Sequence, residues 1–284
     1  MKRAEQLFRI VRGRIRKFPP RQAAKLRMLL PKRAPAPPVR EVPVIVTLTS
    51  FPPRMKSVWL VVESVLRQDV PADRVVLVLS EDEFPDRQLP RRVRRQQKRG
   101  LEIMWVEGNA RSYKKFLPVA AENPDAIVVT VDDDAIYASD LLSRLLAEHE
   151  QRPEAVIGTR GWCIKFDGGR LLPYASWELA DSRTPEDRVL LTGVGGILYP
   201  PRSLSDRVFD YDTARALCPS ADDLWFWAMA RQAGTPVRCI GGRRPSYTLL
   251  VSSRTGALSA ENHRRGENDV QLARLMGAFG ELSS

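Results

Sequence analysis

Cysteine and histidine are scarce: three Cys and two His in 284 residues. Cys163, Cys218 and Cys239 are odd in number and far apart, so they form neither a disulfide framework nor a zinc-ligand pattern, and they fit a reducing cytosol. Long apolar runs are missing too. No stretch reaches the roughly 18 consecutive apolar residues of a membrane-spanning helix. The first 40 residues hold no continuous apolar core of the kind a secretory signal needs. There is no internal repeat and no recognisable RNA- or DNA-binding motif.

Acidic residues are also nearly absent from the first 40 positions. That stretch carries 13 Lys or Arg and one acid, Glu5, a net of +12. The other 244 residues carry 32 basic and 33 acidic side chains, so the overall +11 belongs to the start of the chain. No nucleic-acid partner is expected, because the remainder is close to neutral. Leu7, Ile10, Val11, Ile15 and Phe18 share one helical face with Arg and Lys around them. Residues 1–30 are therefore expected on an anionic membrane surface. A disordered basic tail or an oligomer contact are the alternatives. "PKRAPAPPVR" (31–40) reads as a Pro-rich linker, and the folded domain is expected from about Val42.

From Val42 onward, strand and helix signals alternate. "VPVIVTLTS" (42–50), "RVVLVLS" (74–80), "LEIMWVE" (101–107) and 126–131 are apolar runs suited to parallel strands covered on both faces. Between them "RMKSVWLVVESVLRQ" (54–68), a basic segment 86–99 and "SYKKFLPVAAE" (112–122) predict helices. Strands are expected again at 155–159, 190–199, 236–240 and 247–251, and a helix at 222–233. With 43% hydrophobic residues the chain can build one large α/β domain. The fold expected is a mostly parallel open sheet with helices on both faces and a less regular second half.

The strand at 126–131 ends in Asp132, Asp133 and Asp134, and Ser139-Asp140 then reads as the cap of a helix carrying Leu141, Leu142, Leu145 and Leu146. The carboxyl edge of an open sheet is where ligands bind. Three adjacent carboxylates repel each other, so a positive group must offset them. A divalent cation is the simplest candidate, since hard cations take oxygen ligands. A solvated acidic turn is the bland alternative.

Four segments together carry a resemblance: "VTLTSFPPR" (46–54), "YKKFLPV" (113–119), "VTVDDDAIY" (129–137), and "ADDLWFWAMA" (221–230) with "GVGGILYP" (193–200) before it. The chain resembles glycosyltransferases of the GT-A fold, close to the family-2-like enzymes of bacterial surface-polysaccharide synthesis, over roughly residues 43–250. The resemblance implies a nucleotide-diphosphate sugar donor, a glycan or lipid-linked acceptor, and Mn²⁺ or Mg²⁺ held by a DXD-type motif. Asp134 would bind the metal directly, Asp132 the ribose or the metal, and Asp133 either. Thr49 and Arg54 would line the donor, Asp82 would read the base, and Lys114 or Lys115 would meet the diphosphate. Asp223 would be the base that takes the acceptor proton, with Asp222 its hydroxyl-binding neighbour. His263 would complete the metal shell. Capping of the helix would explain Asp222-Asp223 equally well in isolation.

The implied division is an arm and linker at 1–40, a nucleotide-sugar half at 41–137, an acceptor half at 138–255 and a C-terminal segment at 256–284. The implied location is cytoplasmic, peripheral at the inner face of the membrane. A sugar nucleotidyltransferase is the rival enzyme. It would want a Gly-rich phosphate loop after the first strand, where this chain has "SFPPR" (50–54). A non-enzymatic nucleic-acid or membrane binder is the other alternative.

Overall fold

A computed structural model describes residues 18–30, 36, 38–242, 245–250 and 266–280. Its strands are β1 (Val44–Thr49), β2 (Arg74–Ser80), β3 (Leu101–Val106), β4 (Ile127–Thr130), β5 (Ala135–Tyr137), β6 (Val156–Gly158), β7 (Gly161–Cys163), β8 (Phe166–Asp167), β9 (Arg170–Leu171), β10 (Glu178–Leu179), β11 (Val189–Leu191), β12 (Ile197–Tyr199), β13 (Val237–Cys239) and β14 (Tyr247–Leu249). Its α-helices are α1 (Pro20–Leu29), α2 (Val58–Val65), α3 (Arg91–Gln97), α4 (Leu117–Glu122), α5 (Leu141–Gln151), α6 (Tyr211–Leu217), α7 (Asp222–Gln232) and α8 (Glu267–Phe279).

Seven strands form the central sheet in the order β13-β6-β12-β4-β1-β2-β3. The four apolar runs of the first half pair in parallel as β3-β2-β1-β4. β12 runs antiparallel to both its neighbours, β4 and β6, so β6 and its parallel partner β13 run with β4. Alternate strand residues serve opposite faces. Ile45 of β1 packs in a cluster with Phe116, Trp225 and Phe226, while Val44, Val46 and Leu48 pack in a second one with Val58, Val61, Leu141 and Leu145. The mostly parallel open sheet with helices on both faces is thus present.

Several boundaries shift for local reasons. The helix expected over 86–99 is α3, because Pro90 stands at its N-cap and fixes an extended entry. The run 190–199 is not one strand. Gly193–Gly195 form a 3-10 turn, and Gly196 at φ +81 lets the chain leave β11 and enter β12. β11 then joins a small sheet, β10-β7-β11, and β12 enters the central one. Asp140 is at the N-cap of α5 without a side-chain cap; Gln68 Oε1 accepts from Leu142 N instead, at 3.0 Å. The last helix is capped by Gly266, and Asp269 Oδ1 accepts from Tyr174 N at 2.7 Å.

Part of the stretch read as an arm is a helix on the domain. α1 buries Ala23 and Ala24, and Arg67 donates to the carbonyls of Arg27 and Met28 at 3.0 and 2.9 Å. Among the described residues no helix is long and apolar enough to cross a membrane. Cys163, Cys218 and Cys239 are free thiols.

Candidate active site

β1 and β4 are adjacent and parallel, with Thr47 opposite Thr130. The loops after them therefore leave the same sheet edge side by side. That places "SFPPR" against the aspartate block. Ser50 Oγ donates to Asp133 Oδ2 at 2.6 Å, and Arg54 Nη1 donates to Asp133 Oδ1 and lies 3.2 Å from Asp134 Oδ2. Burial alone would depress the Arg54 guanidinium; Asp133 and Asp134 outweigh it and hold it above its usual range.

The 3-10 turn after β3, Arg111–Lys115, supplies the second counter-charge. Lys115 Nζ donates to Asp132 Oδ1 at 3.0 Å and lies 2.9 Å from Asp222 Oδ2. The second contact is electrostatic; Asp222 Oδ2 is buried without a well-aligned hydrogen bond. Burial would lower the Lys115 ammonium, but Asp132, Asp222 and Asp223 raise it well above its usual value. The offsetting positive charge that the aspartate block demands thus comes in part from the chain itself.

Gly193 closes the arrangement. Its N–H donates to both oxygens of Asp223 at 3.1 and 3.0 Å. A Cβ at Gly193 would stand 2.7 Å from Lys115 Nζ, 3.0 Å from Asp132 Oδ1 and 3.2 Å from Asp223 Oδ1. Two acidic motifs some 90 positions apart in sequence therefore meet around one glycine and one lysine.

Asp222 and Asp223 lie in the first turn of α7, whose N-cap is Ala221 with no side-chain cap. Asp223 takes its hydrogen bonds from the Gly193 turn instead. Its carboxyl is pushed up to about 7 by burial first, then by Asp222 and Asp132, against the pull of Lys115 and the Gly193 N–H. It is densely surrounded, yet half-buried by exposed area because one edge opens to the cleft. Burial, then Asp132 and Asp133, likewise raise Asp134, and burial raises Asp133 despite Arg54 and Ser50.

These groups line a cleft of about 590 Å³ at the carboxyl edge of the sheet. Six carboxylates, Glu83, Asp132, Asp133, Asp134, Asp222 and Asp223, and five cations, Arg54, Arg111, Lys114, Lys115 and Arg160, line it, a formal excess of one negative charge. Among the described residues no three His, Cys, Asp or Glu side chains enclose a metal position. Asp132 and Asp134 nevertheless keep carboxylates on the cleft, with side chains 30% and 14% exposed. Two hard oxygen donors beside uncompensated negative charge suit Mn²⁺ or Mg²⁺, with other oxygens completing the shell.

No family model and no curated protein matches the chain significantly. Solved structures similar to it include residues 1–349 of S. aureus TarS in complex with UDP, at 14% identity and TM-score 0.48, over 83% of this chain. The match spans 65% of that chain, just under two thirds of its length. The mannosyltransferase PcManGT from Pyrobaculum calidifontis, in complex with GDP-Man and Mn²⁺, is 19% identical with TM-score 0.47, over 90% of this chain and 70% of that one. A 4-diphosphocytidyl-2C-methyl-D-erythritol synthase is 13% identical with TM-score 0.42, over 78% and 98%. At that level of likeness the activities of those proteins do not carry over, and the cleft's own residues must supply the chemistry.

Not every expected residue is where the sequence put it. Thr49 lines the cleft, but its hydroxyl donates to Val78 O at 2.8 Å. Asp82 is exposed and outside the lining; its neighbour Glu83 turns in and binds Lys114 Nζ at 2.5 Å. Lys114 also donates to Asn109 Oδ1 at 2.9 Å. Both lysines expected on a diphosphate are thus engaged by acidic side chains, Lys115 as a strut between Asp132 and Asp222. Trp225 is core, with Nε1 donating to Val208 O at 3.1 Å. His263 lies outside the described residues. His149, on α5, is half-buried and does not line the cleft.

Sequence reasoning missed Arg160, Trp162 and Tyr174 on the cleft wall. Arg160 follows β6, so it emerges at the same edge as Asp132. Its Nη1 donates to Thr192 Oγ1 at 2.8 Å and its guanidinium lies 4.9 Å over the Trp162 ring. The signal was the strand at 155–159; its place in the sheet depends on the insertion of β12, which no local pattern reveals.

Proposed function

We propose that the chain is a metal-dependent glycosyltransferase that moves a sugar from a nucleotide-diphosphate donor to a hydroxyl of a glycan or lipid-linked acceptor. The observation that carries this is the meeting of the aspartate block with Asp222-Asp223 through Lys115 and Gly193 in one cleft. A donor site and a proton acceptor within reach of each other are what a transfer between two bound substrates requires.

Asp132 and Asp134 would hold Mn²⁺ or Mg²⁺, which when bound neutralises charge on the leaving diphosphate. Thr49, Ser50 and Arg54 form the donor wall, with Arg54 also fixing Asp133 and Asp134. Glu83, in place of Asp82, from the loop after β2, and Asn109, from the loop after β3, stand on the same wall. Lys114 and Lys115 act as fixed positive charges behind that wall.

Asp223 accepts the proton of the attacking hydroxyl. A carboxyl raised toward neutrality is a stronger base than a free aspartate and still ionises near the working pH. The Gly193 N–H holds it in one orientation, and its open edge faces the cleft. Asp222 orients the acceptor hydroxyl. A carboxylate base on the acceptor side favours a single in-line displacement, hence inversion. Residues 1–30 hold the protein to an anionic membrane surface at its cytoplasmic face, and His263 stands as a further candidate for the metal shell.

The deciding experiment is a thermal-shift screen of nucleotide-diphosphate sugars with and without Mn²⁺, followed by transfer assays with the ligand that stabilises. Ligand stabilisation grows with concentration over Kd, so the donor should stand apart from the other sugars. Metal-independent shifts with free nucleotides, or pyrophosphate release from a nucleoside triphosphate and a sugar phosphate, would instead favour the nucleotidyltransferase.

A further inference from the structure

Positive charge is segregated inside the folded domain as well as in the first 40 residues. "RRVRRQQKR" (91–99), which is α3 and the two residues after it, holds six cations and no acid. Without it, residues 41–284 carry 26 basic and 33 acidic side chains. Only Val93 and Gln96 of α3 are buried. Arg92 lies 4.0 Å over the Trp59 ring, and Arg99 Nη1 donates to the two oxygens of Glu63 at 2.9 and 2.7 Å. The other four cations, Arg91, Arg94, Arg95 and Lys98, are exposed and have no acidic partner among the described residues.

α1 shares this side of the molecule. α2 is buried at every position except Trp59, because α1 and α3 both pack on it. Glu63 of α2 ties the two together. Its Oε1 accepts from Arg67 Nε at 2.5 Å, and Arg67 in turn donates to the carbonyls that end α1. One buried carboxylate thus fixes the C-terminal ends of both basic helices. Arg21 and Arg27 are exposed on α1, as is its last residue Leu29 at 57%, and Phe18 just before it is 48% exposed.

We infer that α1 and α3 form one docking face for an anionic phospholipid surface, with Arg91, Arg94, Arg95 and Lys98 as its main electrostatic contacts. This deepens the membrane assignment proposed for residues 1–30 and is independent of the transfer chemistry. The match is one of charge: an anionic surface attracts this face and repels the acidic remainder, which orients the domain. Phe18 and Leu29 favour lipid over nucleic acid, since apolar side chains insert at the headgroup boundary and gain nothing from a phosphate backbone.

The test is co-sedimentation of the full chain with vesicles of phosphatidylcholine alone or mixed with phosphatidylglycerol. The variant R91Q/R94Q/R95Q/K98Q keeps Arg92 and Arg99, so its melting temperature should match the wild type. Each exposed cation removed should lower partition to the anionic vesicles roughly fivefold, and four together by several hundredfold. The double variant R94Q/R95Q, with about a 25-fold loss expected on the same basis, serves if the fourfold variant melts early. A variant of the first segment, K2Q/R3Q/R9Q/R12Q, separates the two assignments. If it abolishes binding while the α3 variants bind like wild type, the docking face is refuted and the assignment of residues 1–30 stands. If the wild type prefers duplex RNA or DNA to the anionic vesicles, and the α3 variants lose that, the face is a nucleic-acid surface and the inference is overturned.

Discussion

Asp223→Asn should make the protein both slower and more stable. The substitution keeps shape and can still accept from Gly193 N, but it cannot take a proton. Loss of a general base costs on the order of 10²–10⁴ in rate. The stability effect comes from the carboxyl's displacement upward from 3.8 to about 7, caused first by burial and then by Asp222. A carboxyl raised in the folded state binds its proton more tightly there than in the unfolded chain. Stability is therefore lost as pH rises between about 4 and 7. A shift of that size corresponds to roughly 4 kcal/mol at most. The edge open to the cleft lets solvent screen part of it, so about 1–2 kcal/mol at pH 8 is the expected gain for Asn. The assays are melting temperature from pH 5 to 8 for both proteins, and transfer rate at saturating donor. The wild-type rate should rise with pH through about 7, and the difference in melting temperature should shrink toward pH 5, as linkage requires. An Asn variant that melts lower at pH 8 and keeps turnover within a few-fold would refute the assignment of the base.

Asp222→Asn should weaken acceptor binding more than turnover; a larger rate loss than that of Asp223→Asn would mean the roles are exchanged. Gly193→Ala puts a methyl group 2.7 Å from Lys115 Nζ, and should cost about 1–3 kcal/mol by overpacking together with most of the activity, both read by melting and transfer assays. Lys115→Met leaves three carboxylates without their buried cation and should cost about 3–5 kcal/mol at pH 8; the cost should shrink at pH 5 as Asp223, raised to about 7, takes up its proton, and a pH-independent loss would count against the strut. Truncation through residue 38 removes α1 and leaves Arg67 without its carbonyl partners, so it should lower the melting temperature by several degrees.

The parallel half of the fold was legible because its signals are local. Each of β1, β2 and β4 is a mostly apolar run bounded by polar or Pro-containing turns, and covered strands read that way; β3, the edge strand with Glu102 exposed, was legible from its remaining apolar residues. The second half was less so because its strands are two or three residues long and drawn from loops. β12 inserts between β4 and β6 in the opposite sense, a choice made by long-range pairing. The Asp222-Asp223 pair was singled out by the family resemblance; its place at a helix start alone would have been explained by capping. Arg160 and Glu83 were not found, because each becomes a cleft residue only through the direction in which its strand leaves the sheet.

The aspartate block shows where residue-level physics leads and where it stops. Three adjacent carboxylates demanded a cation, and the simplest candidate was a metal. The structure answers with Arg54, five residues beyond the end of β1, and Lys115, in the turn after β3. Neither could be assigned from spacing, since both depend on β1 lying between β2 and β4. With Arg111, Lys114 and Arg160 also on the cleft, five cations stand against six carboxylates and do not complete the neutralisation. The remaining negative charge, together with the upward displacement of Asp134 and Asp223 that burial and crowding produce, is what a bound divalent ion would relieve. Adding Mn²⁺ should therefore raise the melting temperature at pH 8 more than at pH 5, where protons already do part of the same work, and Asp134→Asn should remove most of that rise.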